Sequence, residues 1–132
     1  MRGTKPRLVV SNEAIVTIPA PPAWLSKDAK AEWRRVAPDL IARKVLNETD
    51  LGALESYCVA AAGIRETARI ITRQGRIVNS PAGPKPHPAV RMQLAYLESA
   101  RRYAAELGLT PVARQRAGAG GAPDDGGDDE WA

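Results

Sequence analysis

Arginines recur in the middle of the chain at a spacing that would suit phosphate groups. On a helix they fall within an arc of about 80°, at roughly 100° per residue: Arg65, Arg69, Arg73 and Arg76. Guanidinium groups bind phosphates through charge-assisted hydrogen bonds, so one helix edge carrying several of them predicts a polyanion ligand. Lys85 follows in the loop beyond. The alternative is a solvated face, partly neutralised by Glu66.

A second basic group belongs to an earlier part of the chain. Arg34 and Arg35 lie inside the first predicted helix, and Arg43 and Lys44 follow near its end. These residues would extend the same phosphate-binding surface or form a separate one. The predicted nucleic-acid-binding residues are therefore Arg65, Arg69, Arg73, Arg76, Lys85, Arg34 and Arg35.

Residues for catalysis are sparse by comparison. The chain has no G-x-x-x-x-G-K-[ST] motif, and its glycine-rich stretch follows no strand, so neither phosphate-loop nor dinucleotide chemistry is predicted. Cys58 and His87 are the only residues of their types, which leaves too few ligands for a zinc site within one chain. We expect Cys58 to be a small buried residue, and His87 to lie at a helix start or on the surface. No catalytic residue, metal site or cofactor is predicted.

Charge divides the 132-residue chain into a basic body and an acidic tail. All 19 Lys and Arg residues lie at or before Arg116, where ten of the 15 acidic residues also lie, so the part up to Pro123 carries a net charge of +9. The remaining five acidic residues lie in 124–130. A basic body favours a polyanionic partner. The start shows no signal peptide and no segment is long enough for a membrane span, so we expect a soluble protein of the cytoplasm.

The elements that would position these residues are helices. Phe is absent and aromatics make up 5% of the chain, so the core must come from aliphatic residues and Ala, which suit closely packed helices. Ser26 is a good N-cap for helix one, where Pro38 predicts a kink or restart. Helix two would end at Gly75, and helix three would run from Pro88 to Gly108.

Apolar periodicity predicts how the helices pack. Trp33 falls in the stripe of helix one and is predicted to anchor the core. The buried stripe of helix three is predicted to be Val90, Leu94, Leu97, Ala104 and Leu107. The fold class is therefore all-α, a hairpin of two long antiparallel helices with an N-terminal helix packed across it. Between them, 76–78 could be a short extended piece followed by a turn.

Composition also predicts the domain organisation. Residues 1–22 form a flexible or loosely docked basic arm, 23–116 the helical domain, and 117–132 a disordered acidic tail rich in Gly, Ala, Pro and Asp. A short helix is predicted to begin at Thr110 and Pro111.

Several sequence blocks, in order, resemble a known family. They are PPAWLS at 21–26, AKAEW at 29–33, APDL at 37–40, LNETDLGALESYC at 46–58, PKPHPA at 84–89 and ELGLTP at 106–111. Together they resemble the P27-type phage terminase small subunits. The resemblance covers about Gly3 to Arg116 and leaves out the acidic tail.

This resemblance implies a function in viral DNA packaging. Small terminase subunits bind the double-stranded viral genome near its packaging start, assemble as homo-oligomeric rings, and pass the DNA to the large terminase subunit, which holds the ATPase and the nuclease. The resemblance implies no catalysis in the small subunit and assigns no individual DNA-contacting residue. A ring would also bury apolar surface that a thin helical hairpin leaves open.

Two other functions fit the same composition. A small helical transcription regulator would act as a dimer on a palindromic site, and a structural adaptor of the virion would bind no DNA. The number of subunits in solution and the salt dependence of DNA binding distinguish these alternatives.

Overall fold

The computed structural model describes residues 13–110, which form three helices and a small two-stranded sheet. In chain order the elements are α1 (Lys27–Ala42), a 3-10 turn (Glu48–Asp50), α2 (Leu51–Gln74), β1 (Ile77–Ser80), β2 (Gly83–Pro86) and α3 (Pro88–Leu107). The predicted arm up to residue 12, the short helix from Pro111 and the acidic tail lie outside the described residues.

Helix α1 begins where the sequence predicts. The Ser26 side chain accepts a hydrogen bond from the amide of Ala29 at 3.2 Å, which satisfies one of the free donors at the helix start. Pro38 lies inside the helix, which continues to Ala42, so of the two predicted alternatives the helix does not restart there. Pro38 has no amide hydrogen to bond the preceding turn. Its neighbour Ala37 is fully buried in the core.

The core lies between α1 and α2. Trp33 is 2% exposed, which confirms it as a core anchor, and its indole Nε1 donates to the carbonyl of Pro19 at 2.8 Å. The Ile15 amide donates to the carbonyl of Leu46 at 2.8 Å, so the stretch from residue 13 to the start of α1 is bonded to the helical body at two places. The buried cluster comprises Leu25, Ala29, Trp33, Val36, Ala37, Leu40, Leu46, Leu54, Cys58, Ala62 and Leu107.

Helices α2 and α3 form the predicted antiparallel hairpin. Gln74 at the end of α2 contacts His87 at the start of α3, whereas Val59 and Tyr103 line one groove at the other end. The small residues 60–63 are buried along α2 and allow close approach. A Cβ atom at Gly63 would lie 2.5 Å from the ring of Tyr96, so the two helices touch at a point where only glycine fits.

The predicted stripe of α3 is wrong at its centre. Leu94 is 62% exposed and Leu97 is 44% exposed, whereas Ala89 and Leu107 are buried. Contact between Tyr96 and Gly63 sets the rotation of α3, and this rotation turns both leucines away from α2.

The predicted all-α class is confirmed in part: the fold is mostly helical, but a β-hairpin joins α2 to α3. Its register pairs Ile77 with Pro86 and Ser80 with Gly83. The β-branched Ile77 and Val78 favour an extended backbone, and Pro81 and Gly83 occupy the second and fourth places of the turn, as type I turns prefer. Lys85 therefore lies on a strand and not in a loop.

Candidate nucleic-acid interface

The predicted arginine series is split by the end of α2. Arg65, Arg69 and Arg73 lie on the helix, but Arg76 follows Gly75, whose φ of 84° takes the chain out of the helical path. Only glycine adopts that backbone conformation without strain. Arg76 therefore belongs to the base of the β-hairpin and not to the helix edge.

A buried carboxylate neutralises two of the predicted phosphate-binding residues. Glu32 on α1 is 1% exposed and accepts hydrogen bonds from Arg35 Nη2 at 2.5 Å and from Arg65 Nη2 at 2.7 Å. The Tyr57 hydroxyl donates a third bond to Glu32 at 2.7 Å. Arg65 thus holds α2 against α1 through Glu32, whereas Arg35 pairs with Glu32 within α1. The charge of both arginines is already neutralised by this carboxylate.

The electrostatics of this cluster follow from its hydrogen bonds. Burial by itself would raise the pKa of Glu32, but the bonds from Arg35, Tyr57 and Arg65 outweigh it and lower the pKa from 4.5 to about 2. Burial, together with the bond to Glu32, raises the pKa of Tyr57 to about 12. The hydrogen bond with Glu32 raises the pKa of Arg35. Glu32 is therefore ionised at neutral pH.

Arg69 is partly neutralised as well. Its guanidinium forms an ion pair with the carboxylate of Asp28 in the first turn of α1. Because the Arg69 side chain is 54% exposed, it keeps one side open to solvent while it contacts α1.

The other four predicted residues have no ion-pair partner among the described residues. Arg34, Arg73, Arg76 and Lys85 are exposed and have no ion pair within residues 13–110. Three of them, Arg73, Arg76 and Lys85, lie at the end of the α2–α3 pair where the β-hairpin is attached. Like charges that gather without counter-ions attract an anionic ligand.

Arg91 joins this group and was missed by the sequence interpretation. It is exposed in the first turns of α3 and lines a surface groove with Lys85, His87 and Met92. A signal was present in the sequence. No Asp or Glu occurs between Glu66 and Glu98, a stretch that holds five Lys and Arg residues. We call the free cations of this stretch, Arg73, Arg76, Lys85 and Arg91, the cationic end.

His87 and Cys58 have structural positions, as predicted. The Nδ1 atom of His87 accepts a hydrogen bond from the amide of Ala89 at 2.9 Å, so His87 caps α3. Its Nε2 atom lies 2.7 Å from Gln74 Oε1. Cys58 is fully buried, and burial together with the negative charge of Glu32 raises the pKa of its thiol to about 12.

Within the described part of the chain, no three His, Cys, Asp or Glu side chains come together where they could hold a metal ion. Among the same residues no helix is long and apolar enough to span a membrane.

A small helical domain with one cationic end is typical of proteins that bind nucleic acids. The family model for "Phage terminase, small subunit" matches residues 29–124, most of the chain, so the protein belongs to the phage terminase small subunit family. Membership connects the chain with phage DNA packaging. No curated protein and no solved structure was found to match it.

Proposed function

We propose that this chain is the DNA-binding subunit of the packaging terminase. In this proposal it binds double-stranded viral DNA near the packaging start as a ring-shaped homo-oligomer, recruits and regulates the large terminase subunit, and catalyses no reaction itself. Family membership supports the role in packaging. The observation that carries the DNA-binding function is the cationic end.

The cationic end has the properties of a phosphate-binding surface. Its four cations are exposed and free of ion pairs within residues 13–110, so binding phosphate would break no existing pair. Each neutralised phosphate releases condensed counter-ions, which is the main source of non-specific affinity for DNA. Arg34 would add a further contact on α1, whereas Arg35 and Arg65 would contribute mainly through the fold.

The outer face of α3 supports assembly into an oligomer. Leu94 and Leu97 lie one turn apart and are exposed. Glu98 and Arg101 form an ion pair beside them at 2.5 Å. An apolar centre with a charged rim is the usual composition of a subunit interface. A head-to-tail contact of this face with a different face of the next copy closes a ring when the rotation permits.

A ring would strengthen DNA binding without any new kind of contact. Each subunit would bring its own cationic end, so many weak phosphate contacts would act together. The acidic tail, which lies outside the described residues, would be available for the large subunit.

The proposed function is tested by two measurements on the purified full-length chain. Light scattering at moderate salt gives the number of subunits, and titration of a labelled duplex at several salt concentrations gives the affinity and its salt dependence. We expect a closed oligomer larger than a dimer, and DNA affinity that falls steeply with salt. Arg73→Ala with Arg76→Ala should lower the salt slope by about two, since two phosphate contacts are lost.

Arg102→Ala is the matched control because Arg102 is an exposed arginine towards the other end of α3. It should leave the DNA affinity unchanged. A stable dimer that prefers a palindromic duplex would favour a transcription regulator. Absence of DNA binding at low salt would contradict the proposal and favour a structural adaptor.

A further inference from the structure

The β-hairpin between α2 and α3, which we call the β-ribbon (Ile77–Pro86), contributes little to the core. One face of the ribbon is exposed along its whole length and consists of Ile77, Asn79, Pro84 and Pro86. Ile77 alone is 59% exposed, a large apolar surface for a two-stranded hairpin. Neither the core nor the subunit contact proposed above uses this face.

The β-ribbon is held firmly at its base. The amide of His87 donates to the carbonyl of Arg76 at 2.7 Å, which extends the strand ladder by one pair. The His87 ring contacts Gln74 at 2.7 Å, and the same side chain caps α3. The ribbon is therefore fixed to the helix pair at its base, which favours a defined docking geometry over a random search.

Prolines make the outer edge of β2 unsuitable for pairing with another strand. Because Arg76 and His87 form a hydrogen-bonded pair, residues 84 and 86 fall at the alternate positions, whose amides would point away from the partner strand. Both positions are proline, so this edge offers no amide donor there. Strand addition at the outer edge of β2 is therefore disfavoured, which leaves the faces and the tip of the ribbon and the outer edge of β1 for a partner.

The charges around the base indicate what kind of partner this is. Arg76 immediately precedes the ribbon, Lys85 lies on its second strand, and Arg73 and Arg91 lie on the adjoining helix turns. A ribbon that is fixed at its base beside four unpaired cations fits a polyanion with a groove.

We propose that the β-ribbon enters a groove of duplex DNA and makes the base contacts that select the packaging site. Arg76 and Lys85 bind the phosphates beside the groove. Asn79, exposed and with a side-chain amide that hydrogen-bonds no described residue, contacts a base edge. Pro81 packs its ring against the bases from the tip. This inference rests on the proposed function, and it names the β-ribbon as the element that recognises the base sequence of the DNA.

The dimensions and chemistry of the ribbon support this assignment. A two-stranded ribbon fits a DNA groove, and β-ribbons serve several DNA-binding proteins in this way. Asn pairs with the edge of adenine through both its oxygen and its nitrogen.

Affinity measurements separate base contacts from phosphate contacts. The probes are a duplex enriched by the wild-type chain from a random-sequence library and an unselected duplex of equal length. Asn79→Ala should weaken binding of the enriched duplex roughly tenfold without changing the salt slope, and should leave the unselected duplex unaffected. Lys85→Ala should weaken both duplexes alike and lower the salt slope by about one. Arg102→Ala should match the wild type.

Cross-linking gives a second, independent test. Pro81→Cys places an exposed thiol at the tip, and the buried Cys58 stays unlabelled in the folded chain. A photoreactive label on this thiol should cross-link to bases within the enriched duplex. The same label on Ala105→Cys, exposed near the far end of α3, should not.

The outcomes distinguish this inference from the proposed function. If Asn79→Ala binds both duplexes as the wild type does, or if both labelled positions cross-link equally, the ribbon does not read the DNA although the chain still binds it. If the wild-type chain binds no duplex at low salt, the proposed function fails and the inference fails with it.

Discussion

Glu32 joins two helices because three donors converge on its carboxylate. Arg35 comes from its own helix, while Tyr57 and Arg65 come from α2. A buried charge is tolerated only when it is paired and hydrogen-bonded. The Glu32 carboxylate pairs with two arginines and accepts hydrogen bonds from all three donors. At the scale of single residues, the main role of Arg65 is thus to neutralise Glu32.

Stability should depend on the ionisation of Glu32 at acid pH. Its pKa is about 2 in the folded chain against an ordinary value of 4.5, so the unfolded chain binds the proton more tightly. The resulting stabilisation is complete above pH 4.5 and is lost as the pH falls towards 2. It amounts to about 3 kcal/mol at most.

Glu32→Gln should remove this acid-dependent loss and lower the free energy of unfolding at neutral pH by about 3 kcal/mol. Urea titrations between neutral and acid pH measure both effects. Glu98→Gln is the control, because its ion pair with Arg101 is exposed, and it should have no measurable effect. An unchanged acid profile in Glu32→Gln would contradict the assigned role.

Cys58 should be inert to thiol reagents while the chain is folded. The thiol is fully buried and its pKa is raised to about 12, so the reactive thiolate is scarce at mildly alkaline pH. The rate of reaction with a disulfide reagent, followed with and without denaturant, measures this protection. Rapid labelling of the native chain would show that α2 opens readily.

The contact between α2 and α3 depends on a single glycine. Gly63 lets the ring of Tyr96 lie directly on the backbone of α2, and this contact sets which face of α3 meets solvent. At the scale of elements, the exposed leucines of α3 therefore follow from a residue on another helix.

Gly63→Ala should lower the free energy of unfolding by about 1–3 kcal/mol, because the added methyl group would lie 2.5 Å from the Tyr96 ring. Gly52→Ala is a matched control on the same helix, since nothing lies within 4 Å of the added atom. Alanine favours helix over glycine, so this control should stabilise the chain by about 0.5–1 kcal/mol. Urea denaturation midpoints compare the two, and equal effects would contradict the close contact.

Within residues 13–110, the free cations cluster at one end of the helix pair, and the exposed leucines of α3 begin one turn beyond Arg91. The cationic end lies at the junction of α2 and α3, and the exposed leucines lie farther along α3 beside the pair formed by Glu98 and Arg101. This separation would allow a subunit to contact its neighbour through one surface while another stays open for DNA.

Leu94→Asp with Leu97→Asp should reduce the number of subunits, because a charge at each position would oppose burial of this face in an interface. The helices should persist, since both side chains are already exposed in one subunit. Light scattering measures the assembly and circular dichroism the helical content. Ile77→Asp, an exposed apolar position on the β-ribbon, should leave assembly intact. A full oligomer in the double variant would exclude this face as the interface.

The sequence by itself determined the helix limits and the core anchors. Ser26, Gly75, Pro88 and Gly108 lie where the structure begins or ends its helices, since caps and turns act within a few residues. Trp33 was predictable for the same reason, because periodicity along one helix identifies its buried face.

Only the tertiary structure decided which arginines are free of ion pairs within residues 13–110 and which face of α3 is exposed. Glu32 and Arg65 are 33 positions apart, so their pairing depends on how α1 lies against α2. The exposure of Leu94 depends likewise on Gly63 of the facing helix. Local patterns report on one helix at a time, whereas charge pairing and helix rotation are set where two helices meet.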